Sequence, residues 1–129
     1  EGDTGPYLQY AAARMASILR KGEESGKALD LEAALAATGA LQEPAERALL
    51  TLIDALPGVV EQVAEGLRPS PLCHHLYALA KAYSNFYRDC PVLKSEGELL
   101  QARLLLVKAT REALAYGLDV LGIPAPERM

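Results

Sequence analysis

The stretch Ser95–Gly122, SEGELLQARLLLVKATREALAYGLDVLG, decides the fold class of this chain. Ser95 with Glu98 three residues later has the form of a capping box, in which each side chain serves the other residue's free backbone N–H. Leu100, Leu104, Val107, Leu114, Leu118 and Leu121 then recur at threes, fours and sevens, which places them along one side of a helix. Gly122 supplies a helix stop, and Pro124 and Pro126 forbid continuation. The spacing predicts a helix ending at Leu121. Its apolar side must be buried by partners of the same kind.

The sequence supplies those partners. Leu8, Ala11, Ala12, Met15, Ile18 and Leu19 predict a first helix over Pro6–Lys21, with Gly22 as its stop and Glu23–Lys27 as a mobile loop. Asp30 is placed to cap a short helix through Ala37, ended by Thr38-Gly39. Glu43-Pro44 opens a helix with the stripe Ala45, Leu49, Leu52, Ile53 and Leu56. Pro57 predicts a new, two-to-three-turn helix ending near Gly66. Arg68-Pro69-Ser70-Pro71 reads as a stiff connector with Ser70 as N-cap. The helix after it buries Leu72, Leu76, Leu79, Tyr83 and Phe86 and stops before Cys90-Pro91. Strand-like β-branched runs and internal repeats are missing. The expected architecture is all-α, a single helical bundle over residues 1–129.

At 129 residues the chain has the length of one domain, and such a fold buries roughly two thirds of its unfolded surface. Half of the residues are hydrophobic and 23% are charged, an ordinary globular balance. The formal net charge of −4 excludes a chain that coats nucleic acid by charge alone. It is unevenly spread. Residues 1–69 carry 6 basic and 11 acidic side chains, and residues 70–129 carry 7 and 6. Two separated cysteines, Cys73 and Cys90, form no zinc ladder and fit a reducing compartment. No apolar run approaches the ~20 residues of a membrane span. Residue 1 is Glu, with no initiator Met, which suggests a processed product or a domain cut from something longer.

Catalytic signals are poor. His74 and His75 are adjacent on a helix, where neighbours point about 100° apart and cannot chelate one metal together. Phosphate-binding glycine loops and nucleophile elbows are absent from the sequence. The aromatic set is more telling: no Trp, one Phe and six Tyr. Tyr7, Tyr10 and Arg14 lie at i, i+3 and i+7 on a face turned away from the first helix's core stripe. They form either a platform on which unpaired bases stack or a surface that a neighbouring helix covers. Tyr87 flanks its helix's buried stripe, where a ring packs at the core edge with its hydroxyl in water. Arg103 and Arg111 fall beside the last helix's stripe, so each either pairs internally or meets a ligand's anion.

Three segments resemble one family. Asp3-Thr4-Gly5-Pro6-Tyr7-Leu8-Gln9-Tyr10-Ala11-Ala12-Ala13-Arg14 is similar to the start of the C-terminal domain of arginyl-tRNA synthetases. So is Asn85-Phe86-Tyr87 followed by Cys90-Pro91-Val92-Leu93. Ala113–Ile123, continuing through Pro126-Glu127-Arg128-Met129, resembles that family's carboxyl terminus. Residues 23–69 match in helical pattern alone. The Asp-Ala-Leu-Arg tetrapeptide that names this domain type is missing here, since Asp54-Ala55-Leu56 is followed by Pro57.

The resemblance implies an anticodon-binding module whose partners are the arginine tRNA isoacceptors and the catalytic domain of the same cytoplasmic enzyme, not DNA or a membrane. It implies no catalytic residues, no metal and no cofactor in this chain. ATP, with Mg, belongs to the parent's ligation chemistry, whose His-x-Gly-His and Lys-Met-Ser-Lys type signatures are absent from the sequence. By the same resemblance, Tyr87 stacks on the central anticodon cytosine, with Tyr10, the Asp3 region and Met129 lining the same pocket. Tyr7, Arg14 and Arg111 complete the expected RNA-contacting set. The competing reading is a catalytically silent interaction or regulatory module that binds no RNA, which the acidic net charge favours.

Overall fold

The computed structural model describes residues 4–66 and 69–129. Five α-helices carry the described chain: α1 (Thr4–Glu24), α2 (Leu31–Ala36), α3 (Pro44–Ala64), α4 (Ser70–Asp89) and α5 (Gly97–Val120). One turn of 3-10 helix, Thr38–Ala40, follows α2. Long helix α5 touches all four others and forms the centre of the bundle. Leu100, Leu104, Val107, Leu114 and Leu118 are buried along it, as the heptad-like spacing requires. Leu8, Met15, Leu49, Leu72, Leu76, Leu79 and Phe86 meet them in one continuous core.

Several boundaries depart from the sequence reading, each for a local reason. Gly22 does not stop α1. It is buried within the helix, and a Cβ there would stand 2.7 Å from the Lys27 carbonyl oxygen. The reversal belongs to Gly26, whose φ of +80° closes the turn. Of the expected loop, Glu23 and Glu24 belong to α1, and the chain from Lys27 to Asp30 is held by side-chain bonds. Lys27 Nζ donates to the Leu93 carbonyl oxygen at 2.6 Å, and Gln101 bridges Ala28 O and Asp30 N at 3.1 and 2.7 Å. Asp30 does cap α2, accepting from Ala33 N.

Pro57 does not begin a helix; it sits inside α3, which runs unbroken to Ala64. An interior proline costs about 3 kcal/mol through its missing N–H and its ring. Pro57 itself lies on the exposed side of the helix, so its ring meets no packed neighbour there. The apolar stripe carries on past it through Val59, Val60 and Val63, and packing of that stripe holds the helix together. At α4 the N-cap is Pro69, with Ser70 already helical. Arg68, at the head of the expected connector, lies outside the described residues.

The capping box expected at Ser95–Glu98 does not form. Ser95 Oγ instead donates to the Val92 carbonyl oxygen at 2.5 Å, and Glu96 occupies the cap. The reciprocal arrangement does occur at the start of α3, between Glu43 and Glu46. There Glu46 Oε1 accepts from Glu43 N at 2.9 Å. Its second oxygen, Oε2, accepts from Arg103 Nε at 2.6 Å, and both side chains are buried. Arg103 Nη1 donates onward to the Pro91 carbonyl oxygen at 2.8 Å. Arg103 is thus consumed internally, which removes it as an anion contact. The thiol of Cys90 is buried beside this pair. Desolvation pushes it above its ordinary pKa, and the Glu46 carboxylate adds to the effect.

Helices α4 and α5 cross at Gly117. A Cβ on Gly117 would stand 2.5 Å from Leu76 Cδ2, so a side chain here would have to displace the buried Leu76. Beyond α5 the chain turns back along α1. Ile123 packs by Gly5, Gln9 Nε2 donates to the Pro124 carbonyl oxygen at 3.0 Å, and Arg20 Nη1 donates to that of Glu127 at 3.3 Å. The last seven residues therefore travel beside α1 in its own direction.

Candidate nucleic-acid interface

The side of the bundle formed by α1, α4 and this carboxyl-terminal segment gathers most of the residues that the sequence singled out. Tyr10, Arg14 and Ser17 recur at i, i+4 and i+7 on the solvent side of α1. Tyr83 and Tyr87 on α4, and likewise Ser84 and Arg88, are four apart and point toward α1. Between the two helices lies a cleft of about 230 Å³ lined by Ala11, Arg14, Tyr83, Ser84, Tyr87 and Arg88. That is small for a drug-like ligand, whose pockets run roughly 300–1,000 Å³. Arg14 also lines a second, shallower hollow with Tyr10, Arg20, Arg128 and Met129. Tyr87 and Arg88 continue into a third with Leu93 and Lys94. The three share lining residues and carry Arg14, Arg20, Arg88, Lys94 and Arg128, against Glu127 in the second hollow and Asp89, which pairs with Arg88 at 2.9 Å, on a chain that is acidic overall.

The aromatic geometry divides the tyrosines. Tyr10 is 54% exposed, and the Arg14 guanidinium stands 5.9 Å from its ring centroid, within cation–π range. Tyr87, half-buried, stacks on Tyr83 with ring centroids 6.1 Å apart and planes 17° apart. Tyr83 in turn packs on Phe86 at the edge of the core. Tyr7 does not join this side. Its ring lies 5.3 Å from that of Tyr77, tilted by 42°, so the two close the seam between α1 and α4 elsewhere. Arg111 lines none of the three hollows. It is half-buried, and its Nε has no hydrogen-bond partner among the described residues. Asp3 lies outside the described residues. Met129 does border the hollow with Tyr10, and is exposed there.

Four residues of this side escape a pattern reading. Arg20, Arg88, Lys94 and Arg128 are surface cations in the sequence, and only the return of the tail and the α4–α5 loop brings them to these hollows. Tyr83 reads as core, yet the residue lines the first cleft, while its hydroxyl is buried and has no partner among the described residues. Burial pushes that hydroxyl's pKa well above its ordinary value of 10, Tyr87 adds to this and Arg14 opposes it, so it stays a protonated donor at neutral pH. The one available signal is chemical: a Tyr in an otherwise aliphatic stripe brings a polar atom that needs a partner. The histidines behave as packing and surface groups. His74 is exposed, and His75 donates through Nε2 to the Leu52 carbonyl oxygen at 2.7 Å. Among the described residues there is no cluster of metal-binding side chains and no helix long and apolar enough to cross a membrane.

The helices packed around α5 define an all-helical domain, and its fold is the one seen in an arginyl-tRNA synthetase of known structure. Over residues 8–129 the chain matches the family model described as the DALR anticodon binding domain, and it belongs to that family. It is 52% identical to the arginine–tRNA ligase of Cutibacterium acnes over 134 residues, which takes in 99% of this chain and 24% of that protein. With the arginine–tRNA ligase of Thermococcus kodakarensis it shares 47% identity over 130 residues, 100% of this chain and 20% of the relative. Among solved structures, Thermus thermophilus arginyl-tRNA synthetase superposes with a TM-score of 0.80 at 40% identity, over 100% of this chain and 22% of that one. The chain thus spans about a fifth to a quarter of the length of these relatives.

Proposed function

We propose that this domain binds the anticodon loop of arginine tRNAs by seating the central cytosine against Tyr87, as the anticodon-reading part of a cytoplasmic arginine–tRNA ligase. Joining arginine to tRNA with ATP and Mg would then fall to a catalytic domain outside this chain. The observation that carries the reading is the convergence of Tyr10, Arg14, Tyr87 and Met129 on adjoining, cation-lined hollows of an acidic domain, in a family named for anticodon binding.

The chemistry follows from the genetic code. Every arginine codon has G in the middle, so every arginine anticodon has C there, and one pocket serves all isoacceptors. A splayed cytosine offers its face for stacking and an edge with an N4 donor and N3 and O2 acceptors. Tyr87 packs against Tyr83 and borders both the α1–α4 cleft and the adjoining hollow, which suits its ring to a stacked base. Exposed Tyr10 and the terminal Met129 suit neighbouring contacts, and Arg14, Arg20 and Arg128 suit the phosphates between them.

The test is binding of an arginine anticodon stem-loop to the chain and its Tyr87 variants. Base–aromatic stacking is worth about 1–3 kcal/mol, so Tyr87→Ala is expected to weaken binding about ten- to a hundredfold while Tyr87→Phe changes little. Circular-dichroism melts separate this from lost packing against Tyr83. Equal binding by Tyr87→Ala and the unaltered chain would refute the reading.

A further inference from the structure

The turn between α4 and α5 is held by its carbonyl oxygens. Arg103 Nη1, on α5, donates to that of Pro91 at 2.8 Å. Lys27 Nζ, from the loop between α1 and α2, donates to those of Leu93 and Ser95 at 2.6 and 3.4 Å. Within the turn, the Val92 oxygen accepts from Ser95 N at 3.1 Å and from Ser95 Oγ at 2.5 Å. These bonds engage the acceptors of four residues. The N–H groups of Leu93 and Lys94, at the centre of the turn, have no acceptor among the described residues. A segment whose carbonyls are engaged and whose amides are not offers the positive ends of its peptide dipoles, which suits an anion.

The side-chain charges agree. The hollow beside this turn is lined by Tyr87, Arg88, Pro91, Val92, Leu93 and Lys94, with no carboxylate among its described lining residues. Arg88 is paired with Asp89, and Arg103 with Glu46. Lys94 is exposed and has no ion-pair partner among the described residues. Lys27 is half-buried and likewise has none. Neutral carbonyls meet its ammonium, so no opposite charge cancels its field at the turn.

We propose that this turn seats a phosphate of the bound RNA strand, next to the nucleotide that stacks on Tyr87, with Lys94 as the contacting cation and Lys27 as the positioning residue that shapes the seat. The place of the strand rests on the anticodon reading given above. A phosphate contact fixes register and carries no sequence information, so the seat adds affinity whatever the base. Arg103 also braces the turn, but its loss would strand Glu46 in the core, so Lys27 is the residue on which the positioning role is tested.

The experiment measures binding of the arginine anticodon stem-loop across potassium chloride concentrations. It compares the unaltered chain, Lys94→Ala, Lys27→Met, the double variant and Tyr87→Ala, with circular-dichroism melts of each. One phosphate contact on a single strand contributes about 0.7 to the slope of log K against log salt. Lys94→Ala should leave the melting temperature unchanged, weaken binding several-fold at low salt and lower that slope by about 0.7. The loss should be the same for stem-loops with C or U at the central position. Lys27→Met should lower the slope at least as much, and the double variant should bind no more weakly than Lys27→Met, because the contact of Lys94 is already lost with the seat. A merely structural role for Lys27 would move the melting temperature and leave the slope alone. An unchanged slope in Lys94→Ala, or a loss confined to one of the two bases, would overturn the proposal. A double variant in which the two losses add would overturn the positioning role. If Lys27→Met does not fold, Lys94→Ala alone decides on the seat. If Tyr87→Ala weakens binding while Lys94→Ala leaves the slope unchanged, the seat falls and the anticodon reading stands. If Tyr87→Ala binds as the unaltered chain does, the anticodon reading itself falls.

Discussion

Removing the Glu46 carboxylate should be among the most damaging single changes to this fold. Glu46 is fully buried and holds two donors, Glu43 N at the head of α3 and Arg103 Nε on α5. In Glu46→Ala the guanidinium of Arg103, 8% exposed, keeps its bond to Pro91 O but loses its counter-charge. Breaking a buried pair from one side costs about 3–5 kcal/mol. The orphaned Glu43 N–H adds about 0.5–2 kcal/mol, the usual worth of a cap. The sum, about 3.5–7 kcal/mol, is a large share of the roughly 5–15 kcal/mol that stabilises a domain. The assay is urea unfolding followed by circular dichroism, on Glu46→Ala, Arg103→Met and the apolar double variant Glu46→Leu/Arg103→Met. The double variant should recover most of the loss, because neither charge is then left buried alone. A single-variant loss below about 1 kcal/mol, or a double variant no better than Glu46→Ala, would refute this account.

Deleting Glu127–Met129 should leave the melting temperature nearly unchanged, since the described residues hold that segment by one exposed 3.3 Å hydrogen bond, yet it should weaken stem-loop binding by removing Met129 and Arg128 from the second hollow. Binding that survives the deletion intact would exclude the terminus from the site. Gly117→Ala should destabilise the domain by about 1–3 kcal/mol, because its methyl group would press into Leu76 at the α4–α5 crossing; an unchanged urea midpoint would show that Leu76 yields freely.

The fold was legible wherever one helix carries one clean stripe. Leu100 through Leu118 on α5 and Leu72 through Phe86 on α4 announced themselves by spacing, and all are buried. Punctuation misled where tertiary contact overrode it. Pro57 and Gly22 both look like breaks, but a stripe that continues past Pro57 outweighs one missing hydrogen bond. Gly22 serves a backbone approach made by a residue five positions on. Ser95–Glu98 fits the capping pattern, but the Ser95 hydroxyl found a closer acceptor.

The candidate site was legible in part for a similar reason. Tyr10, Arg14 and Tyr87 stand out by position on their own helices. That Tyr7 turns to Tyr77, that Arg103 is spent on Glu46, and that Tyr83 opens onto a cleft depend on which helix lies opposite. No periodicity carries that information.

Two of the tyrosine contacts have a practical consequence for spectroscopy. The chain contains no tryptophan, so its ultraviolet emission comes from tyrosine alone. Tyr83 and Tyr87 are 6.1 Å apart, and Tyr7 and Tyr77 are 5.3 Å apart, close enough for each pair to share an excitation. A nucleobase laid on Tyr87, as proposed, would quench the emission of both rings in its pair against the background of Tyr7, Tyr10, Tyr77 and Tyr116. The unlabelled protein thus carries its own optical gauge of what happens at the α1–α4 cleft.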